Sequence, residues 1–514
     1  MGAVSRLARR LTPPLVALLA AGLLAGCVAP VHQVTPTAGA SVTPEPPVSA
    51  PPGAERFYSQ QVDWSDCQEA DECAQVEVPL DWAAPDGPTV KIAVARVRAT
   101  DDDPAGSILV NPGGPGASAV DFLSSARLIV SPEVRDEFDL VAFDPRGVQR
   151  STPVTCLDGP GTDALFAADF DMGTDAGIAR AEEAWGDFGA ACAQNTGEAL
   201  GHIDTVTAAR DMDLIRALVG DQSLNYLGYS YGTKLGATYA ALFPERVGRL
   251  VLDSALDPTL DGDEVSAGQA VGFESALRAY VTDCLDGDDC PLTGTVDDAL
   301  GQISDLLETA RANPLPTTGD MRVTAQVAFT GIAYPLYSQA LWPDLTAALR
   351  AGFRGDGTVL LALAYAYADR APDGTYTTNQ LVAFPAINCV DDRATSDVAE
   401  MRAKAAEIER SAPTLGRFFA YSGVQCARWP VPPVGGLDDY SASGAAPILV
   451  IGTTNDPATP YVWAQSLAKT LESGVLLTHE GEGHGVYGIG NACATDVVDD
   501  YFLDGTVPDE GTRC

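Results

Sequence analysis

The run Leu224-Asn225-Tyr226-Leu227-Gly228-Tyr229-Ser230-Tyr231-Gly232 constrains this chain more than any other. An apolar stretch of strand length breaks at a glycine-bracketed serine, and a helix-compatible stretch over 233–243 follows immediately. A strand that turns into a helix within one residue forces that residue into a strained backbone conformation. Glycines on either side are then required, because a Cβ there would collide with the neighbouring strand or helix. The turn exposes the Ser230 hydroxyl, and a further strand-like run, Arg249-Leu250-Val251-Leu252-Asp253, comes after Pro244. Strand, serine turn, helix and strand predict an α/β-hydrolase fold, a mostly parallel sheet flanked by helices, with Ser230 as its nucleophile.

A serine nucleophile needs a base, and the chain offers only four histidines. His32 lies in a Pro-rich tail, and His202 precedes a helix over 205–219 whose apolar face is marked by Met212, Ile215, Leu218 and Val219. His479 ends the strand-like run Gly474-Val475-Leu476-Leu477-Thr478, where packing or capping is its expected role. His484, in the glycine-rich stretch Glu480-Gly481-Glu482-Gly483-His484-Gly485, occupies the place this fold reserves for the base. The orienting acid should lie between serine and histidine, on a loop after a core strand. Pro447-Ile448-Leu449-Val450-Ile451-Gly452 reads as such a strand, and Asp456 follows it. Asp253, at the end of the strand after the nucleophile, is the competitor. The Tyr231 N–H is one expected donor to the oxyanion of the tetrahedral intermediate. The second is expected at Gly114, in the turn Asn111-Pro112-Gly113-Gly114-Pro115-Gly116 after the strand-like Ser107-Ile108-Leu109-Val110.

These stretches, with Phe143-Asp144-Pro145-Arg146-Gly147-Val148, Gly228-Tyr229-Ser230-Tyr231-Gly232-Thr233, Asp456-Pro457-Ala458-Thr459-Pro460 and Gly483-His484-Gly485, resemble the secreted tripeptidyl aminopeptidases of actinobacteria, relatives of proline iminopeptidase. The resemblance runs from about residue 60 to the end of the chain. Gln149 stands where a glycine is usual before Arg150-Ser151, and Asn111 replaces a histidine of the iminopeptidase loop. The resemblance implies a serine peptidase that releases short peptides, tripeptides, from free amino termini. Such an enzyme needs an acid to receive the α-ammonium. Asp391, in Asn388-Cys389-Val390-Asp391-Asp392, is the candidate, because a disulfide at Cys389 would fix its position; its alternative is a solvated surface acid. An esterase or lipase acting through the same Ser–His–Asp set is the competing reading, since fold alone does not separate the two. A binding protein on a hydrolase scaffold is disfavoured by retention of Ser230, Asp456 and His484.

The amino-terminal region reads as an export signal. Arg6, Arg9 and Arg10 precede an apolar core over 15–24, too short to span a bilayer, and Leu24-Ala25-Gly26-Cys27 resembles a lipobox in which Cys27 would be lipidated. A Pro/Thr/Ala-rich tether follows. Eleven cysteines less Cys27 leave an even number, as a disulfide set in an oxidising compartment requires. Sequence does not fix the connectivity. Proximity suggests Cys67 with Cys73, Cys156 with Cys192, Cys284 with Cys290, Cys389 with Cys426 and Cys493 with Cys514. The absence of a CxxC pair argues against a zinc site, and no cofactor is expected. Without residues 1–26 the chain carries 28 lysines and arginines against 70 acids, a balance of −42. That charge repels nucleic acid and anionic lipid, leaving peptides as the expected partners, the lipid anchor as the membrane link and a monomer as the expected state.

Core motifs fall in 55–256 and 431–514, after a signal over 1–26 and a tether over 27–54. The interval 257–430 lacks strand–helix alternation. Its helical segments, 296–312 and 397–411, and its Pro-rich breaks predict a mainly helical lid inserted after Asp253.

Overall fold

The computed structural model describes residues 50–67, 70–392 and 395–514. The lipidation candidate Cys27 and His32 lie outside the described residues. Eight strands form one sheet: β1 (Glu72–Pro79), β2 (Thr89–Val97), β3 (Gly106–Asn111), β4 (Phe138–Phe143), β5 (Leu224–Tyr229), β6 (Val247–Asp253), β7 (Ile448–Asn455) and β8 (Gly474–Glu482). Their spatial order is β1-β2-β4-β3-β5-β6-β7-β8. β2 pairs antiparallel with both β1 and β4, and every other pairing is parallel. This is the α/β-hydrolase architecture.

The central strands read as unbroken apolar runs because both faces of the sheet are covered. Alternate residues divide between two cores. Leu109, Leu250, Leu252, Ile448 and Val450 enter one, with Tyr226 and Leu235; Ile108, Val110, Val251, Leu449 and Ile451 enter the other, with Phe502. The carboxyl ends of β3, β5, β6, β7 and β8 thereby share one edge, where the loops carrying Gly114, Ser230, Asp253, Asp456 and His484 emerge.

Arg146 locks the base of that edge. Its Nε and Nη2 each lie 2.7 Å from an oxygen of Asp211, and its Nη1 donates to the Leu80 and His202 carbonyls at 2.8 and 3.1 Å. Both side chains are buried. Truncating one member of a buried ion pair leaves the other charged and uncompensated. Arg146→Ala is therefore expected to destabilise the fold by about 3–5 kcal/mol, read from urea unfolding.

Between β6 and β7 the chain is helical: Gly262–Asp286, Val296–Ala312 and Ala325–Ala333 share a core with Leu277, Leu300, Ile303, Leu345 and Leu349. Gln380–Asp391 packs through Ala383, Ala386, Ile387 and Val390 with Phe188 and Tyr231, and Val398–Ser411 packs through Met401 and Ile408. A second helical excursion, Asp175–Thr196 between β4 and β5, packs against this insertion: Ile178 and Ala181 meet Met401 and Val424, and the Phe188 ring lies 6.0 Å from Trp429. The five disulfides pair as proximity suggested, as in proteins that fold outside the reducing cytosol. Among the described residues no helix is long and apolar enough to cross a membrane.

Candidate active site

Ser230 follows β5 directly and precedes the helix Tyr231–Leu242, with φ 56° and ψ −123°. Few non-glycine residues adopt such angles, and they persist only where the surroundings fix them. Here the Ser230 N–H donates to the Asp253 carbonyl at 3.0 Å, and the Ser230 carbonyl accepts from the Thr233 N–H and hydroxyl at 2.9 and 2.6 Å. A Cβ on Gly228 would come within 2.5 Å of the Tyr226 ring and 2.6 Å of the Gly232 carbonyl, which accounts for the first glycine of the turn.

The turn after β3 presses against this elbow. Gly113, at φ +96°, sits so close that a Cβ would lie 2.5 Å from the Tyr229 carbonyl and 3.0 Å from the Ser230 Cβ. Its N–H is taken by the Asn111 side-chain oxygen at 2.9 Å, so the asparagine that departs from the iminopeptidase pattern shapes the turn from within. Gly114 and Tyr231 line one cavity with Ser230. Tyr231 opens its helix, so its N–H has no acceptor within the helix.

His484 lies just past β8. Its Nδ1 is 2.9 Å from each Asp456 oxygen. Asp456 is in turn held by the Ala458 and Thr459 N–H groups, both 2.9 Å from Oδ1, and by the Thr459 hydroxyl, 3.0 Å from Oδ2. The same hydroxyl is 3.3 Å from His484 Nδ1. From the insertion, the Tyr337 carbonyl accepts the His484 N–H at 2.9 Å, and the Tyr337 ring meets the imidazole edge-on, with centroids 5.4 Å apart. Burial alone would depress the imidazole pKa. The charge and hydrogen bond of Asp456, with a further contribution from Asp253, instead hold it above the ordinary histidine value. A neutral histidine bonded this way keeps its proton on Nδ1 and presents an unprotonated Nε2.

The competing acid does other work. Asp253 is fully buried, and its Oδ2 accepts from the Val486 and Tyr487 N–H groups at 3.0 and 2.8 Å. It grips the segment behind His484, and the imidazole itself belongs to Asp456. The remaining described histidines have separate partners: His479 lies within β8 with Nδ1 2.7 Å from the Asn491 amide nitrogen, and the His202 carbonyl accepts from Arg146.

Ser230, His484 and Thr459 share a cavity of about 1120 Å³ that is also lined by residues of the insertion, such as Tyr337 and Phe418, and of the Asp175–Thr196 helix, such as Trp185. Asp391 is absent from its wall, which corrects the expectation for that residue. Its two carboxylate oxygens accept from the Thr205 N–H and hydroxyl at 2.6 and 2.5 Å, and one lies 3.5 Å from Lys234 Nζ. A carboxylate so engaged and buried cannot receive a ligand. The neighbouring Asp392 does reach the cavity, with one oxygen 2.9 Å from Lys234 Nζ. Thr459, Tyr337, Lys234 and Asp392 were not singled out from sequence. Thr459 had a signal, three residues after Asp456 in Asp-Pro-Ala-Thr-Pro, whereas Tyr337 had none. Among the described residues no three His, Cys, Asp or Glu side chains gather as a metal site would require.

The carboxy-terminal segment 412–514 matches the family described as TAP-like protein. Serine protease Hip1 of Mycobacterium tuberculosis is 36% identical over 486 residues, covering 90% of this chain and 92% of that protein. The chain belongs to the TAP-like family of serine hydrolases. This TAP-like chain is also 38% identical over 518 residues to a M. tuberculosis protein named carboxylesterase B, covering 97% of each. The tripeptidyl aminopeptidase of Streptomyces coelicolor is 31% identical over 484 residues, covering 90% of the TAP-like chain and 87% of its own. The relatives' names thus divide between peptide and ester bonds, and the cavity must supply the distinction.

Proposed function

We propose that this TAP-like protein is an exported serine exopeptidase that releases tripeptides from free amino termini. Ser230 Oγ bonds to the acyl carbon while its proton passes to His484 Nε2, and Asp456 stabilises the imidazolium that results. The Gly114 and Tyr231 N–H groups receive the oxyanion. Collapse breaks the C–N bond as His484 returns the proton to the leaving amine. Water then attacks the acyl-enzyme by the same route and frees Ser230.

The observation that carries the peptidase reading is the surplus carboxylate beside the nucleophile. Lys234 lies one helical turn beyond Ser230, yet two acids face it, and Asp392 opens to the cavity. Burial pushes both carboxyls up while Lys234 draws them down, and an arriving ammonium would favour the state in which both are ionised and the group of three carries one net negative charge. Three extended residues reach about 10 Å, and Ser230, Lys234 and Asp392 line the same cavity. Asp392 therefore takes the receiving role that Asp391 cannot.

The test compares a tripeptide anilide with a free and with an acetylated amino terminus, beside a short-chain ester. Acetylation is expected to lower kcat/KM about 100-fold or more, and Asp392→Asn to lower it about 10-fold or more for the free-amine peptide while ester turnover changes less than about twofold. Equal rates on free and acetylated peptides would sink the aminopeptidase reading. Preference for the ester in every arm would favour the second reading, a carboxylic-ester hydrolase, which the likeness to carboxylesterase B supports. Location follows the sequence: export, with Cys27 as a lipid anchor and the tether holding an acidic, monomeric enzyme off the membrane.

A further inference from the structure

His484 is held along its backbone as well as through its ring. Its own N–H goes to Tyr337, and the next three N–H groups, of Gly485, Val486 and Tyr487, all go to two adjacent side chains at the end of β6. Ser254 Oγ accepts from Gly485 at 2.7 Å and donates to Asp253 Oδ1 at 3.3 Å, while Asp253 Oδ2 accepts from the other two. The Asp253 carbonyl also holds the Ser230 N–H. One residue thus ties the serine turn to the histidine segment. Two backbone N–H groups could be satisfied by any acceptor, so geometry alone does not call for a carboxylate.

We infer that Asp253 is a positioning residue for His484, which fixes the segment carrying the imidazole and sets a second negative charge behind the cation formed during turnover. The inference rests on the reading of His484 as the base. The titratable groups that face Asp253 are His484, from the segment after β8, and Tyr229 from β5, whose phenol is held neutral by burial. Tyr487 meets Asp253 through its backbone N–H alone, its phenol donating to Asp499. From β7, the residue paired with Asp253 is Ile451. Burial pushes the Asp253 carboxyl up to about 6, against the two backbone N–H bonds and the His484 charge. A carboxyl near 6 is mostly charged at neutral pH and loses its charge in mild acid, and its charge and that of the imidazole influence each other.

The experiment measures the pH dependence of kcat/KM for a small ester with the full chain and with Asp253→Asn, Ser254→Ala and His484→Ala. Asparagine keeps an oxygen for the Val486 and Tyr487 N–H groups and removes the charge. Asp253→Asn is expected to lower kcat roughly 3–10-fold and to move the acid limb to lower pH, because His484 then protonates less readily. Ser254→Ala loosens the segment without removing the charge, so it should lower kcat and leave the limb in place. An acid limb for Asp253→Asn that coincides with the wild type overturns the inference. Activity surviving in His484→Ala instead overturns the base reading, whatever Asp253 does. If Asp253→Asn fails to fold, an NMR titration of the wild-type histidines decides: His484 is expected to show two inflections, and a single-site curve overturns the inference.

Discussion

Ser230→Ala is expected to lose activity on peptide and ester alike by about 10⁵-fold, with a fold as stable as the parent to within about 1 kcal/mol. The hydroxyl has no substitute, since the acyl group must bond to it. The structure around it should survive because the elbow is held through the backbone: the Ser230 N–H to the Asp253 carbonyl, and the Ser230 carbonyl from Thr233. Alanine occupies the positive φ at a similar cost to serine. Steady-state rates, urea unfolding and mass spectrometry after a serine-directed phosphonate check the three parts. Labelling of the alanine variant at another serine, with activity retained, would displace Ser230 from its role.

Asp456→Asn is expected to cost about 10⁴-fold in kcat at neutral pH, through the histidine tautomer. The Ala458 and Thr459 N–H groups both point at Oδ1. They would keep the amide oxygen there and leave the amide nitrogen in the place of Oδ2, facing His484 Nδ1. Nδ1 is 2.9 Å from the Oδ1 position as well, but a protonated Nδ1 would meet the amide nitrogen as a second donor at the same distance, so the tautomer with its proton on Nε2 is favoured. The base is then blocked from accepting the Ser230 proton. Because Asp253→Asn leaves the Nδ1 contact intact, its loss should be smaller by about three orders of magnitude. Equal losses for the two variants, from the same kinetic assay, would defeat the division of labour between the acids.

The sequence made these residues legible where the chemistry and the backbone coincide. The serine turn needs strand, glycine, serine, glycine and helix in one unbroken run, and the loops after β7 and β8 emerge from strands whose apolar character is plain. Legibility failed where a decision falls on the angle of a single residue. Asp391 is the last residue of the helix Gln380–Asp391, and Asp392 is the extended residue that follows it, with φ −118° and ψ 148°, so the two side chains leave in different directions. Only the packing of that helix decides which acid turns inward to Thr205 and which reaches the cavity. In sequence His479 ends the strand-like run over 474–478, and a glycine-rich stretch follows it. Pairing with β7, at Thr453 with His479 and Asn455 with Glu482, carries the strand to Glu482. Gln149 also departs from the expected glycine and takes φ 38°, while its side-chain amide donates to the Thr377 carbonyl at 2.9 Å. The side chain gains a contact with the insertion that a glycine lacks.

The Tyr337 carbonyl belongs to the insertion, and the N–H that it accepts belongs to His484. Exchanging the whole 257–430 segment for that of a relative, in order to change which peptides are cut, would replace part of the scaffolding of the base along with the specificity. A chimera that keeps the turn around Tyr337 and varies the helices beyond it separates the two, so the safe seam for engineering lies inside the insertion and not at its ends.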